Sequence, residues 1–467
     1  MIESLPDGLE HTYETLLQHV TSHSPERVGE LRTLLRCLVI ASPLLTAANL
    51  AEILALQPGQ QSLDFDTVAT DPYDALDIIA PFVVLSSDKM THGVVKLSHF
   101  SLDEYLRSER VQRSRFSFFH VNEDDGNAWM AEICLQYITL DVFTRSKFEA
   151  ARFEPALLEQ YSFRQYASLN WFRHYKLARN VPYLKDQCEP YLKRLFLDTE
   201  GSPCYKRWQE VLQRRFPYDE LHRYSPINFA ISHGLNDVVD ELLFQLGDIN
   251  VPSNDGYTCL TMAAKWNRPT IIRKLLDLGA DIERTGVKQC TPLHLAAEFA
   301  SRDAFDLLLD AGANPHARSS TESTPFYRAC RGGDVHIVRR LKECGCDIDA
   351  HTDDFWTPVM EAVENAREEV LDLLLEWGVD LTIRTDQGWT VFLIAEDLDF
   401  APRPSIIEKL RLAAPKDAYE QFLRDPKVIE YGSGTEVAED EAEEHGYYDK
   451  LTAPHSHHAP APRNTRA

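Results

Sequence analysis

The sequence predicts a mainly α-helical chain whose C-terminal half is a stacked solenoid of six short units. Two observations carry this. Alanine recurs at Ala230, Ala263, Ala296, Ala329, Ala362 and Ala395, thirty-three residues apart each time. A hydroxyl residue keeps the same interval five positions earlier, at Ser225, Thr258, Thr291, Thr324, Thr357 and Thr390. A strict period of this length means stacked supersecondary units, each leaning on its neighbours, and not one closed globule. Such a stack offers a long surface and usually no catalytic cleft.

The elements before the repeats read differently. Leu5-Pro6-Asp7-Gly8-Leu9 leads into a helical pattern, followed by the apolar run Leu34 to Ile40. Leu45 to Leu56 reads as another helix. Phe82-Val83-Val84-Leu85 and Val94-Val95-Lys96-Leu97 read as two strands around a polar turn, and His99 to Leu106 follows. Helices plus a hairpin predict a small winged-helix-like domain over residues 1–120. Residues 121–220 form a helical connector, rich in Tyr, Phe, Trp and Arg from about Ala128 to Pro217.

The third repeat shows how each unit is built. Thr291 is a good N-cap, and Pro292 fits the first helical position, where its missing N–H costs nothing. Leu293, Leu295, Ala296 and Ala297 follow, the small residues allowing close helix approach. A second helix carries Phe305, Leu307, Leu308 and Leu309 on its apolar face. Gly312 ends it, free to take a left-handed conformation, and Asn314-Pro315 begins an extended turn.

Thr291-Pro292-Leu293-His294-Leu295-Ala296 resembles the ankyrin repeat and its T-P-L-H-x-A signature. The closing glycine recurs at Gly279, Gly312, Gly345 and Gly378. A polar residue recurs at Asp248, Asp281, Asn314, Asp347 and Asp380. The resemblance implies an ankyrin solenoid of six units over residues 221–415. In the first unit Leu246 takes the glycine position. In the last, Val391 replaces the proline, and Pro402 and Pro404 interrupt the link to a helix beginning near Ser405. Both are expected to be caps, because one flank of each lacks a neighbouring repeat.

The N-terminal half looks like the segment after the nucleotidase module in fungal NACHT–ankyrin (NLR-like) proteins. The resembling pieces are Leu5-Pro6-Asp7-Gly8-Leu9, the run from Pro43 to Leu56, the run from Val95 to Leu106, and the run from Tyr161 to Tyr175. Those relatives bind nucleotide through a Gly-x-x-x-x-Gly-Lys-Ser/Thr loop, whereas this sequence has no Gly-Lys pair. The expectation is the rear half of such a protein, from a truncated gene or a short gene model.

Composition narrows the function classes. The formal net charge of −25 disfavours direct nucleic-acid binding. The best basic cluster, Arg107, Arg110, Arg113 and Arg115, reads as a solvated face. No apolar run reaches the length of a membrane span, and no signal peptide opens the chain. The nine scattered cysteines read as reduced thiols, Cys344 and Cys346 among them, in a cytoplasmic or nuclear protein. Residues 416–467 read as a disordered tail, acidic from Glu436 to Glu444 and then rich in Pro, His and Ala. His455, His457 and His458 fall in that tail and are not read as a metal site. No cofactor or metal is expected.

His99, Ser101 and Asp103 resemble a nucleophile set, but Ser101 to Glu104 reads more simply as a capping box. His294 is expected to bridge neighbouring turns. The expectation is therefore a non-enzyme with protein partners, no membrane contact and no oligomeric state implied.

The ankyrin resemblance implies contact positions just before each hydroxyl residue, on a hairpin finger, and at the end of each inner helix. These hold Tyr257, Trp356 and Trp389, with Phe355 beside one of them, and Trp266 and Phe299. Arg328 and Arg331 lie in the same inner-helix region and could pair with an acidic partner. Aromatics and arginines dominate interface hot spots, so this stripe reads as a partner-binding groove. The leading expectation is an interaction scaffold. Two alternatives are a nuclear transcription co-regulator, such as one of a fungal metabolite gene cluster, and the partner of a separately encoded P-loop NTPase.

Overall fold

A computed structural model of the chain describes residues 7–63, 68, 71–86, 93–143, 161–196, 202–215, 223–396 and 404–415. The chain divides into two compact units, Met1–Pro217 and Tyr218–Ala467.

In the first unit, helices Asp7–His23, Val28–Ile40 and Ala47–Ala55 precede an antiparallel pair of strands, Val83–Leu85 and Val95–Leu97. Val84 lies opposite Lys96 in their register. Leu31, Leu34, Leu35 and Leu38 recur at helical spacing, and all four are buried. Thr46 opens the third helix: its hydroxyl accepts from the Asn49 N–H at 3.2 Å, and Asn49 Oδ1 accepts from the Thr46 N–H at 3.0 Å. Helix Glu123–Ile138 is capped by Asn122 and carries Glu123, Asp124 and Asp125 in its first turn, where carboxylates suit the helix dipole. It packs on helix Phe163–Leu177, with Tyr137 and Phe163 edge to face at 5.2 Å. The buried Glu52 carboxylate ties these pieces together. It accepts from Tyr137 Oη, from the Ser162 N–H at 2.8 Å and from the Phe163 N–H at 3.1 Å.

One expectation here is corrected. The helix after the hairpin spans Phe100–Arg107, so Ser101 lies inside its first turn and His99 is the cap. His99 Nδ1 accepts from the Ser101 N–H at 3.1 Å. Ser101 Oγ is hydrogen-bonded to His99 Nδ1 and to Tyr13 Oη, each at 2.6 Å. The reason is burial: Ser101 is 2% exposed, and a buried hydroxyl must find partners wherever the core supplies them.

In the second unit, helix pairs follow one another. They are Pro226–His233 with Asn236–Gln245, Cys259–Lys265 with Pro269–Asp277, and Pro292–Glu298 with Arg302–Asp310. Then come Pro325–Gly332 with Val335–Glu343, Pro358–Glu364 with Glu368–Glu376, and Val391–Glu396 with Pro404–Ala413. Ser225, Thr258, Thr291, Thr324 and Thr390 each accept a hydrogen bond from the N–H three residues on. Thr357 does not, and its buried hydroxyl has no partner among the described residues. Pro402 and residues 416–467, with the acidic run and the histidines, lie outside the described residues.

The alanine column is a packing seam. Ala230, Ala263, Ala296, Ala329 and Ala362 are all fully buried, and consecutive inner helices pack on one another. A close approach uses Gly332: a Cβ there would lie 2.5 Å from the Ala297 carbonyl oxygen and 2.7 Å from that of Glu298. His294 crosses the same seam. Its Nε2–H donates to the Ser323 carbonyl at 3.0 Å, while Nδ1 accepts from the Thr291 N–H at 3.2 Å. Burial holds this imidazole neutral, pushing its pKa down to about 4.

Candidate functional site

The connections between repeats form a row of hairpin fingers. Their tips are Gly256, Gln289, Glu322, Phe355 and Gly388, all with left-handed φ between 54° and 81°. Backbone bonds join the fingers: Ser320 N–H to Lys288 O at 3.0 Å, Asp353 N–H to Thr321 O at 3.3 Å, and Asp386 N–H to Asp354 O at 3.2 Å. Each finger also closes on itself. The Ser253, Ser319, Thr352 and Thr385 N–H groups donate to the carbonyls of Tyr257, Ser323, Trp356 and Trp389. This ladder sets Phe355, Trp356 and Trp389 on adjacent fingers. Phe355 is exposed, while Tyr257, Trp356 and Trp389 are partly buried. The Trp356 indole N–H is buried without a partner among the described residues, as is that of Trp266.

Along the inner helices the structure supplies residues that single-site reasoning missed. Lys265 is 4% exposed, with its ammonium 4.9 Å from the Tyr257 ring centroid, 4.8 Å from Phe299 and 5.9 Å from Tyr224. It donates to Tyr257 Oη at 3.2 Å. Tyr257 and Phe299 therefore face a cation that belongs to the repeats themselves. Trp266 stands at the end of the same helix, partly buried.

Arg328 and Arg331 likewise have acidic partners inside the array. Arg328 is buried, its Nη1 3.1 Å from Glu298 Oε2 and its Nε donating to Ser323 Oγ at 3.0 Å. Arg331 Nε lies 3.8 Å from Glu298 Oε1. On the next inner helix Glu361 is buried, accepting from Tyr327 Oη and from Asn365 Nδ2, the latter at 3.0 Å. Burial pushes the Glu361 carboxyl above its usual range, while Arg331, the Tyr327 hydroxyl and Arg328 oppose that rise. Three inner helices thus share one charged network. A signal for it exists in the repeat columns. Lys265, Glu298, Arg331 and Glu364 are thirty-three residues apart and alternate in sign, and Arg328 and Glu361 form a second such pair.

The other candidates carry less chemistry. Ser101 is buried against Tyr13, so no substrate reaches its hydroxyl in this arrangement. The arginine cluster after the hairpin is largely neutralised: Arg107 meets Asp103 at 3.0 Å and Glu123 at 3.5 Å, Arg110 meets Glu10, and Arg113 meets Glu109 at 2.6 Å. All nine cysteines are free thiols, and Cys344 alone is exposed. Burial pushes Cys346 up to about 12, away from the reactive thiolate. Among the described residues no group of His, Cys, Asp or Glu is placed to hold a metal ion, and no helix is long and apolar enough to cross a membrane.

A family model described as "Ankyrin repeats (3 copies)" matches residues 227–319 and 293–385. The chain therefore carries ankyrin repeats across that stretch. A protein of Monascus ruber named azaphilone pigments biosynthesis cluster protein L is 24% identical over 305 residues. The match covers 60% of this chain and 61% of that protein, so the chain spans less than two thirds of the relative's length.

Proposed function

We propose that the chain is a non-catalytic interaction scaffold that docks a partner protein on the finger row of its repeats. The carrying observation is the run of aromatic side chains Phe355, Trp356 and Trp389 on adjacent fingers, tied side by side by backbone hydrogen bonds. Aromatic anchors on rigid hairpins lose little entropy on binding. In this reading the six helix pairs are six ankyrin repeats with the first and last as caps. The hairpin and helices of the first unit are a winged-helix-like domain and connector, akin to those of NACHT–ankyrin proteins. The inner-helix residues Lys265, Arg328 and Arg331 then serve the stack, and the fingers serve the partner.

A second reading is favoured by the pigment-cluster name of the Monascus relative: the scaffold acts within a fungal metabolite gene cluster, as a regulator docked on another protein. The test of the main reading is affinity capture by the full chain after cross-linking, compared with the Trp356→Ala/Trp389→Ala variant. We expect specific partners to be lost by the variant, with binding weakened by about 2 kcal/mol or more. Thermal unfolding of the same samples must change less than binding does. Equal capture by both proteins, or capture lost only because the variant unfolds, removes the finger reading.

A further inference from the structure

The five finger tips occupy equivalent positions, and the two that are glycine suit a left-handed backbone. Glycine takes that conformation freely at Gly256 and Gly388, whereas Gln289 and Glu322 adopt it against the Cβ clash that opposes it. Phe355 takes it at φ 63°, where a bulky ring is an outlier. Burial does not compensate. The side chain stays 46% exposed, and its described ring contact is a stack on His351, itself exposed, at 4.5 Å and 22°. A bulky aromatic held in a strained backbone and left nearly half exposed points to a use outside the fold.

The charge around this ring is mainly negative. The fourth and fifth fingers are joined through Asp386 N–H and Asp354 O at 3.2 Å, so Asp353, Asp354 and Asp386 share one stretch of surface with Phe355. Asp353 and Asp386 are exposed. Residues 351–356 and 384–389 contain these three aspartates and a single basic residue of the Lys/Arg type, Arg384. On the preceding finger Glu322 is engaged by Arg318 at 3.5 Å.

We propose that these two fingers hold an arginine-bearing segment of the partner protein. Its guanidinium lies against the Phe355 ring and its charge is met by Asp353 and Asp386. Arginine fits better than lysine because its planar group both stacks on a ring and pairs with carboxylates. The chain's own acidic run, Glu436 to Glu444, has the wrong sign for this surface, and so does a nucleic-acid backbone. The proposal rests on the interaction reading above and names the chemistry of its partner.

The probe is a displayed library of short random peptides selected on the immobilised full chain, followed by affinity measurement at low and high salt. Selected peptides are expected to be rich in arginine. Phe355→Gly relieves the backbone strain, so it must melt at or above the temperature of the unaltered protein while binding these peptides at least about tenfold more weakly. Asp353→Asn with Asp386→Asn must also weaken binding and flatten its salt dependence. Neutral or acidic selected peptides overturn the proposal, as does binding unchanged by these variants. If such binding is still lost in Trp356→Ala/Trp389→Ala, the interaction reading survives and this refinement alone falls. A library that yields no binder, or a Phe355→Gly protein that melts earlier, overturns it too. A homodimer in sedimentation that Phe355→Gly dissociates would make the occupant a second copy and likewise overturn it.

Discussion

In the first unit Glu52 is tied to Ser162, 110 residues away, and Tyr13 to Ser101, 88 residues away. In the repeats Asn228 is tied to Asp255 across 27 residues, His294 to Ser323 across 29 and Arg328 to Glu298 across 30. Each repeat thus leans on its neighbour, whereas the first unit is closed by contacts that span much of its length. Damage in the repeats should therefore stay near its origin, and damage in the first unit should spread through the whole of it. Segment-resolved hydrogen exchange distinguishes these outcomes, because it reads each helix separately.

The largest effect is expected for Glu52→Ala. It leaves Tyr137 Oη and the N–H groups of Ser162 and Phe163 without their acceptor in a buried place. The cost is about 3–5 kcal/mol. Helices Val28–Ile40, Glu123–Ile138 and Phe163–Leu177 should lose protection together, with the repeats unchanged. Loss confined to Ala47–Ala55 would contradict the cooperative reading.

Arg328→Ala comes next, at roughly 2–4 kcal/mol, because Glu298 and the buried Glu361 lose a nearby cation. Exchange should rise in the inner helices from Pro292 to Glu364 and much less in Pro226–His233. A uniform rise over every repeat would show that the stack is not a nearest-neighbour system.

Acid acts on both units in one window. Burial lowers His294 to about 4 in the repeats and His174 to about 4 in the first unit. Each unfolded imidazole titrates near 6.5, so the unfolded chain binds more protons between these values. Their contribution is complete above about pH 6.5 and is lost as pH falls towards 4, roughly 3 kcal/mol per histidine. His294→Gln should flatten the acid dependence of the repeats and leave that of the first unit intact. Unchanged profiles in both would show that His294 is not held neutral by the fold.

The smallest effect is Ala296→Leu, about 1–3 kcal/mol of overpacking in the fully buried seam. Urea unfolding followed in the repeats measures it. An unchanged midpoint would mean that the seam has room.

The two regions were also unequally legible. The hydroxyl and alanine columns located the helix starts and the buried seam because a repeated unit meets the same neighbours each time, so one spacing encodes one contact. The finger positions were legible through the ankyrin resemblance. The environment of Tyr257 and Phe299 was not, because it depends on Lys265 folding beneath both rings. Nor was the pairing of Arg328, although opposite charges thirty-three residues apart were visible in its column. In the first unit the helices and the hairpin were legible from apolar spacing. The partner of Ser101 was not, since Tyr13 lies 88 residues away.

The sequence by itself thus determined the helical repeat and its period, because these follow from local propensity and nearest-neighbour contact, while the fingers came with the ankyrin resemblance. Only the tertiary structure decided which charges and rings are already satisfied. It joined Arg328 to Glu298, set Lys265 among Tyr224, Tyr257 and Phe299, and left Phe355 strained and exposed. Whether a polar or aromatic side chain is spent inward or left for a partner depends on what lies across the seam, a fact of three-dimensional packing that no single residue carries.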